Sequence, residues 1–192
     1  MAEQRLSLFS GKAPSMDSLA FRLAGAAEAV RQVSAGRSLP DAVQSTCQAL
    51  HADAASRGAI QDIAYNAMRK LGTACFLTGR LAKRPPEPEI LLHLLACAFT
   101  VLLQEEGSSL RYEPFTTVNQ AVLAASSMRG TAKAKGMVNA VLRNFLRGKD
   151  RFLQQAAQDD VARWNYPAWW IDKVQAHYPD RWQSILSVGN SA

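Results

Sequence analysis

The chain has 192 residues, 48% of them apolar and 20% charged, with a net charge of +6 and a pI near 9.5. That is enough to bury a core as one domain with at most a small appendage, and the basic balance points to phosphates or anionic surfaces as partners. The longest apolar run, Ile90 to Leu103, is fourteen residues interrupted by His93 and Thr100; a bilayer needs about twenty, so a buried helix is expected and no membrane partner.

Residues 1–14 are polar, carry Gly11 and Pro14 and contain no apolar signal stretch, so a flexible lead-in and a cytoplasmic location are expected. Ser15 or Asp17 can cap a first helix in which Leu19, Leu23, Ala26, Ala27, Val30 and Val33 recur at helical spacing until Gly36. Ser38-Leu-Pro-Asp41 reads as the start of a second helix over 40–50. After a polar connection over 51–56, the periodicity from Arg57 to Leu71 predicts a third helix, with Gly72 as a break and a fourth helix up to Lys83. Three prolines in Arg84-Pro-Pro-Glu-Pro-Glu89 exclude a helix interior, and Glu87 and Glu89 favour the start of the next one. That helix, Ile90 to Leu103, is apolar nearly all round and is expected to be central. A polar loop follows over Gln104 to Pro114, then a helix from Phe115 to Ser127 with Val118, Ala121, Val122 and Ala125 inward. No alternating run of useful length predicts a strand, so the fold class is all-α.

The stretch from Arg129 to Arg147 is the most informative. Placed on a helix, Ala134, Met137, Val138, Val141, Leu142, Phe145 and Leu146 gather on one side, and Gly136, Ala140, Arg143 and Arg147 on the other. From Pro114 to Lys149 there are six cations, Arg129, Lys133, Lys135, Arg143, Arg147 and Lys149, and no Asp or Glu. A helix that only had to stay soluble would mix signs, because opposite charges one turn apart stabilise it. Two readings stay open: an anionic partner, or favourable placement of Arg143 and Arg147 against the helix macrodipole.

Cys47, Cys75 and Cys97 are odd in number, lack C-x-x-C spacing and sit in apolar helical patterns, so reduced core residues are expected rather than disulfides or a metal site. His51, His93 and His177 form no ligand motif, and His93 is expected to be a hydrogen-bonded interior residue. All four tryptophans, Trp164, Trp169, Trp170 and Trp182, lie near the C-terminus, where 167–177 and 179–188 read as two short helices. Aromatics beside Arg163, Lys173 and Arg181 can stack bases, but Asp159, Asp160, Asp172 and Asp180 dilute the charge. Packing onto the bundle, or onto something beyond residue 192, is the preferred reading.

Residues 16–150 resemble the NusB-like fold, two small helical bundles packed across each other, in the version found at the front of bacterial small-subunit rRNA cytosine-C5 methyltransferases of the RsmB (Sun/Fmu) type. The strings that carry the resemblance are Lys135-Gly-Met-Val-Asn-Ala-Val-Leu-Arg-Asn-Phe-Leu-Arg147, Phe115-Thr-Thr-Val-Asn-Gln-Ala-Val122, Tyr166-Pro-Ala-Trp-Trp-Ile171 and Tyr178-Pro-Asp-Arg-Trp-Gln-Ser-Ile185. The resemblance implies a NusB-like RNA-binding domain over 15–150 and a helical, aromatic-rich extension over 151–192 that leads to a methyltransferase domain absent from this chain. It also implies that S-adenosylmethionine belongs to that absent domain, which 164–188 would contact. Cytosine-C5 transfer needs a thiolate that adds to C6; Thr46-Cys47 has a suggestive dipeptide but no glycine-rich strand-to-helix turn near it, so no catalytic residue is expected here.

The expected RNA contacts, on small-subunit rRNA, are Lys133, Lys135, Asn139, Arg143, Arg147 and Lys149, with Arg129 and Arg22. Free-standing NusB antitermination factors resemble one another in an arginine-rich first helix, whereas Met16 to Leu23 offers only Arg22. Three roles follow: an RNA-positioning front domain of a methyltransferase, a scaffold that works through the aromatic segment, or a self-contained antitermination-type RNA binder.

Overall fold

The computed structural model describes residues 8–104 and 112–189. Residues 1–7 of the lead-in, most of the expected 104–114 loop and residues 190–192 lie outside the described residues. The described residues form α1 (Leu19–Ser34), α2 (Leu39–Ala49), α3 (Ala54–Arg69), α4 (Leu71–Leu81), α5 (Ile90–Leu102), α6 (Pro114–Ser127), a 3-10 turn (Ala132–Ala134), α7 (Lys135–Arg147), α8 (Lys149–Ala156), α9 (Asp160–Trp164), α10 (Ala168–His177) and α11 (Trp182–Val188). No strand occurs among them, so the all-α class holds; one isolated antiparallel bridge joins Phe9 to Met128.

Local chemistry sets the boundaries and corrects several expected ones: α8 and α9 precede the two expected C-terminal helices, and α11 starts at Trp182 rather than at 179. Ser15 and Asp17 bond each other, and Ser18 caps α1 instead, its Oγ accepting from the Phe21 amide at 3.2 Å. Asp53 accepts from the Ser56 amide at 2.7 Å, which starts α3 three residues earlier than its apolar pattern. The break between α3 and α4 falls at Lys70, and Gly72 lies inside the first turn of α4.

Two helices share the centre. α5 packs against α1, α3, α4, α6 and α7, as its apolar character predicts. α1 is just as enclosed, with ten buried residues, most of them small, and contacts to α2, α3, α5 and α6. A Cβ on Gly25 would stand 2.7 Å from Ile60 Cδ1 and 3.2 Å from Leu50 Cδ1, so glycine lets these side chains pack onto α1 without shifting. The lead-in is anchored over its described part: Phe9 is buried against Phe21 with ring centroids 6.0 Å apart, and its neighbours exchange backbone hydrogen bonds with Ser127 and Arg129.

Two interior expectations need correction. His93 is buried as expected, but neither ring nitrogen has a hydrogen-bond partner among the described residues; Glu89 Oε1 stands 3.8 Å from Nε2, past hydrogen-bond range. Burial holds its pKa below the ordinary imidazole value, against the opposing pull of Glu89. Cys47 and Cys97 are buried, whereas Cys75 is exposed on α4.

The C-terminal helices hang from α4. Asn165, in the left-handed conformation that ends α9 (φ 56°), accepts from the Thr73 amide at 2.9 Å, and Thr73 Oγ1 donates to the Ala162 carbonyl at 2.7 Å. α4 has no side-chain cap at its own N-cap, so α9 satisfies one of its orphan donors. A Cβ on Gly72 would lie 2.3 Å from the Val161 carbonyl oxygen, which explains the glycine better than a helix break does. Trp164, Ile171, Val174 and Leu186 then form a small second core.

Candidate nucleic-acid interface

α7 divides as its sequence predicts. Val138, Val141, Leu142 and Phe145 are buried, and Phe145 meets Phe99 of α5 edge-on with centroids 5.0 Å apart. Gly136, Ala140, Arg143 and Arg147 are exposed on the opposite side, next to exposed Lys133 and Lys135. Asn139 is half-buried at the edge of this face. Among the described residues Lys133, Lys135, Arg143 and Arg147 form no ion pair. Arg147 Nη1 reaches only Asn144 Oδ1, at 3.5 Å. The face is therefore a row of hydrated cations with donors available to an anion, seated on a rigid, apolar backing.

The other expected cations are placed differently. Lys149 is half-buried, and its Nζ donates to the Leu102 carbonyl at 3.3 Å, so it serves the C-terminal end of α5. Arg22 is half-buried on α1, with Nη1 donating to Tyr112 Oη at 3.0 Å. Arg129 is exposed but lines a separate groove with Glu28, Arg31 and Glu89, where carboxylates oppose it. Folding thus brings Lys133, Lys135, Asn139, Arg143 and Arg147 together and leaves Arg22 and Arg129 elsewhere.

It also adds two arginines that the sequence reading missed. A cleft of about 590 Å³ at the end of α7 is lined by Arg80, Leu81, Asn144, Arg147, Gly148, Arg151 and Phe152, with no acidic side chain. Arg80 comes from α4, far away in sequence. Arg151 follows Asp150, the acid that ends the acid-free stretch. A usable signal was present in the cation-rich run Arg80 to Arg84 at the end of a predicted helix.

The remaining cavities do not compete. A cavity of about 750 Å³ between α1 and α2 is lined by polar groups that bond one another. Arg31 makes a two-pronged bond to Glu28 at 2.7 and 2.8 Å, which raises its pKa, and Arg37 donates to Gln32 and Ser45. S-adenosylmethionine does not fit the described residues: none forms a strand, so no strand-to-helix glycine turn is there to cradle it. The Cys47 thiol is buried and pushed upward in pKa, contrary to what an attacking thiolate requires. Among the described residues no group of three His, Cys, Asp or Glu could hold a metal ion, and no helix is long and apolar enough to cross a membrane.

The aromatic tail is split. Trp164 and Trp182 pack edge-on at 5.2 Å in the second core, with Arg163 over the Trp164 ring. Trp169 and Trp170 remain 65% and 40% exposed, and Tyr178, Ile185 and Val188 are exposed too.

Residues 22–147 match the NusB family. Among curated proteins, the chain is 27% identical over 171 residues to the ribosomal RNA small subunit methyltransferase B of Vibrio cholerae, covering 88% of this chain and 38% of that protein. It is 30% identical over 168 residues to the protein of the same name from Salmonella arizonae, covering 86% of this chain and 37% of that one. The chain thus spans well under half the length of these relatives. The helical bundle, the α7 face and the match over 22–147 agree, and the chain belongs to the NusB family.

Proposed function

We propose that this domain binds RNA through its phosphates and positions small-subunit rRNA for cytosine-C5 methylation. The observation that carries this is the exposed, acid-free side of α7 with Arg143 and Arg147 unpaired by carboxylates. Contacts of this kind hold a polyanion and set its register without reading bases. Lys133, Lys135, Asn139, Arg143 and Arg147 are the contacts assigned, with Lys149 beside them, and Arg22 and Arg129 reach RNA only if it wraps beyond α7. The relatives' name, ribosomal RNA small subunit methyltransferase B, supports the choice of RNA. Titration of an rRNA fragment across salt tests it. R143E/R147E is expected to weaken binding at least tenfold and flatten the salt slope by about 1.4 to 1.8, the equivalent of two phosphate contacts. Unchanged affinity and slope overturn it.

On this reading the methyl transfer, and S-adenosylmethionine with it, belong to a cytoplasmic methyltransferase's catalytic portion docked on residues 164–188. The exposed Trp169 and Trp170 favour that surface, since large aromatics left in water beside polar residues mark interaction sites. Adding a catalytic portion from a full-length relative in trans should give association that W169S/W170S abolishes. Equal association with the variant removes the docking assignment. An antitermination-type role has less support, because Arg22 is the sole cation in the first two turns of α1 and donates to Tyr112.

A further inference from the structure

The cleft where α4, α7 and α8 meet gathers cations from three helices. We propose that Arg80, Arg147 and Arg151 form a clamp for a backbone phosphodiester of the bound RNA, continuing the α7 face around its C-terminal end. The proposal rests on the RNA-binding reading above and names the place where the backbone is gripped.

Helix-end electrostatics do not account for the cluster. Arg80 and Arg147 stand in the last turns of α4 and α7, where a cation is favoured with or without a ligand. Arg151 stands in the first turn of α8, where the same effect opposes a cation. An anion in the cleft reverses that penalty and relieves the repulsion among three guanidiniums that no lining carboxylate offsets. The donors are free to serve it. Arg80 lies over the Phe76 ring at 5.1 Å and Arg151 over the Phe152 ring at 4.7 Å, so cation–π contact holds both side chains. Neither makes a hydrogen bond among the described residues, and the planar fork of arginine matches two phosphate oxygens at once. α8 also begins at this cleft, after Gly148, with no side-chain cap on its first turn.

The test compares wild type with R80Q/R151Q, which removes charge without reversing it, and with R80K/R151K, each checked for native helicity by circular dichroism. R80Q/R151Q is expected to lower rRNA-fragment affinity five- to tenfold near 0.1 M salt and to flatten the salt slope by about one contact or more. R80K/R151K should keep the slope and lose part of the affinity, because an ammonium is not a fork. If wild type binds RNA and R80Q/R151Q matches it in affinity and slope, the clamp is overturned while the α7 reading stands. If wild type binds no RNA, the α7 reading itself falls and takes the clamp's ligand with it. A third arm follows the Gly148 amide resonance with inorganic phosphate alone. A saturable shift there, lost in R80Q/R151Q while RNA affinity is unaffected, would assign the cleft to a free anion and overturn the RNA clamp.

Discussion

Two exposed surfaces among the described residues are opposite in kind. The outer side of α7 is charged, and cations cost little to keep in water. The outer side of α10 carries Trp169 and Trp170, with Ile185 and Val188 exposed on α11, and Trp169 in water forgoes burial that a Trp in the core obtains. The first suits a partner that arrives and leaves with salt. The second suits a partner that stays.

The contrast depends on what lies beneath each surface, and the largest effect should come from there. Phe145→Ala removes the ring that meets Phe99 and is expected to cost about 3–5 kcal/mol in urea unfolding, with loss of RNA binding as α7 loosens. A cost below about 1 kcal/mol would mean that α7 is not held as described. Gly72→Ala should act next. Its methyl would meet the Val161 carbonyl, so α9 must shift, at about 1–3 kcal/mol, with a red shift of tryptophan emission as the second core opens and RNA affinity retained. Loss of RNA affinity in that variant would show that the tail and the α7 face are not independent. The smallest effect sharpens the comparison most. R143Q/R147Q and W169S/W170S should each change unfolding free energy by no more than about 0.5 kcal/mol, because neither outer surface supports the fold. A loss of 1 kcal/mol or more in R143Q/R147Q would return those arginines to the macrodipole reading.

Much of this was legible in order along the chain. The division of α7 into Val138, Val141, Leu142 and Phe145 inside and Arg143 and Arg147 outside followed from spacing alone, as did α5 at the centre. Residues whose role depends on a distant neighbour were not legible. Ala24, Gly25 and Ala29 carry little hydrophobic signal, yet they let α1 become a second axis. Gly72 resembles a helix break until the Val161 carbonyl is set against it. Arg22 and Lys149 counted as available cations until Tyr112 and the Leu102 carbonyl engaged them.

Periodicity and charge are properties of a few consecutive turns, so the amino-acid order alone determined the helices from α1 to α7, their inner and outer sides and the basic character of the α7 segment, but not the short α8 and α9. Which cations share a surface depends on how helices far apart in the chain are packed. Only the tertiary structure could therefore separate Arg22 and Arg129 from the α7 face, bring Arg80 and Arg151 to its end, and divide the four tryptophans between core and solvent.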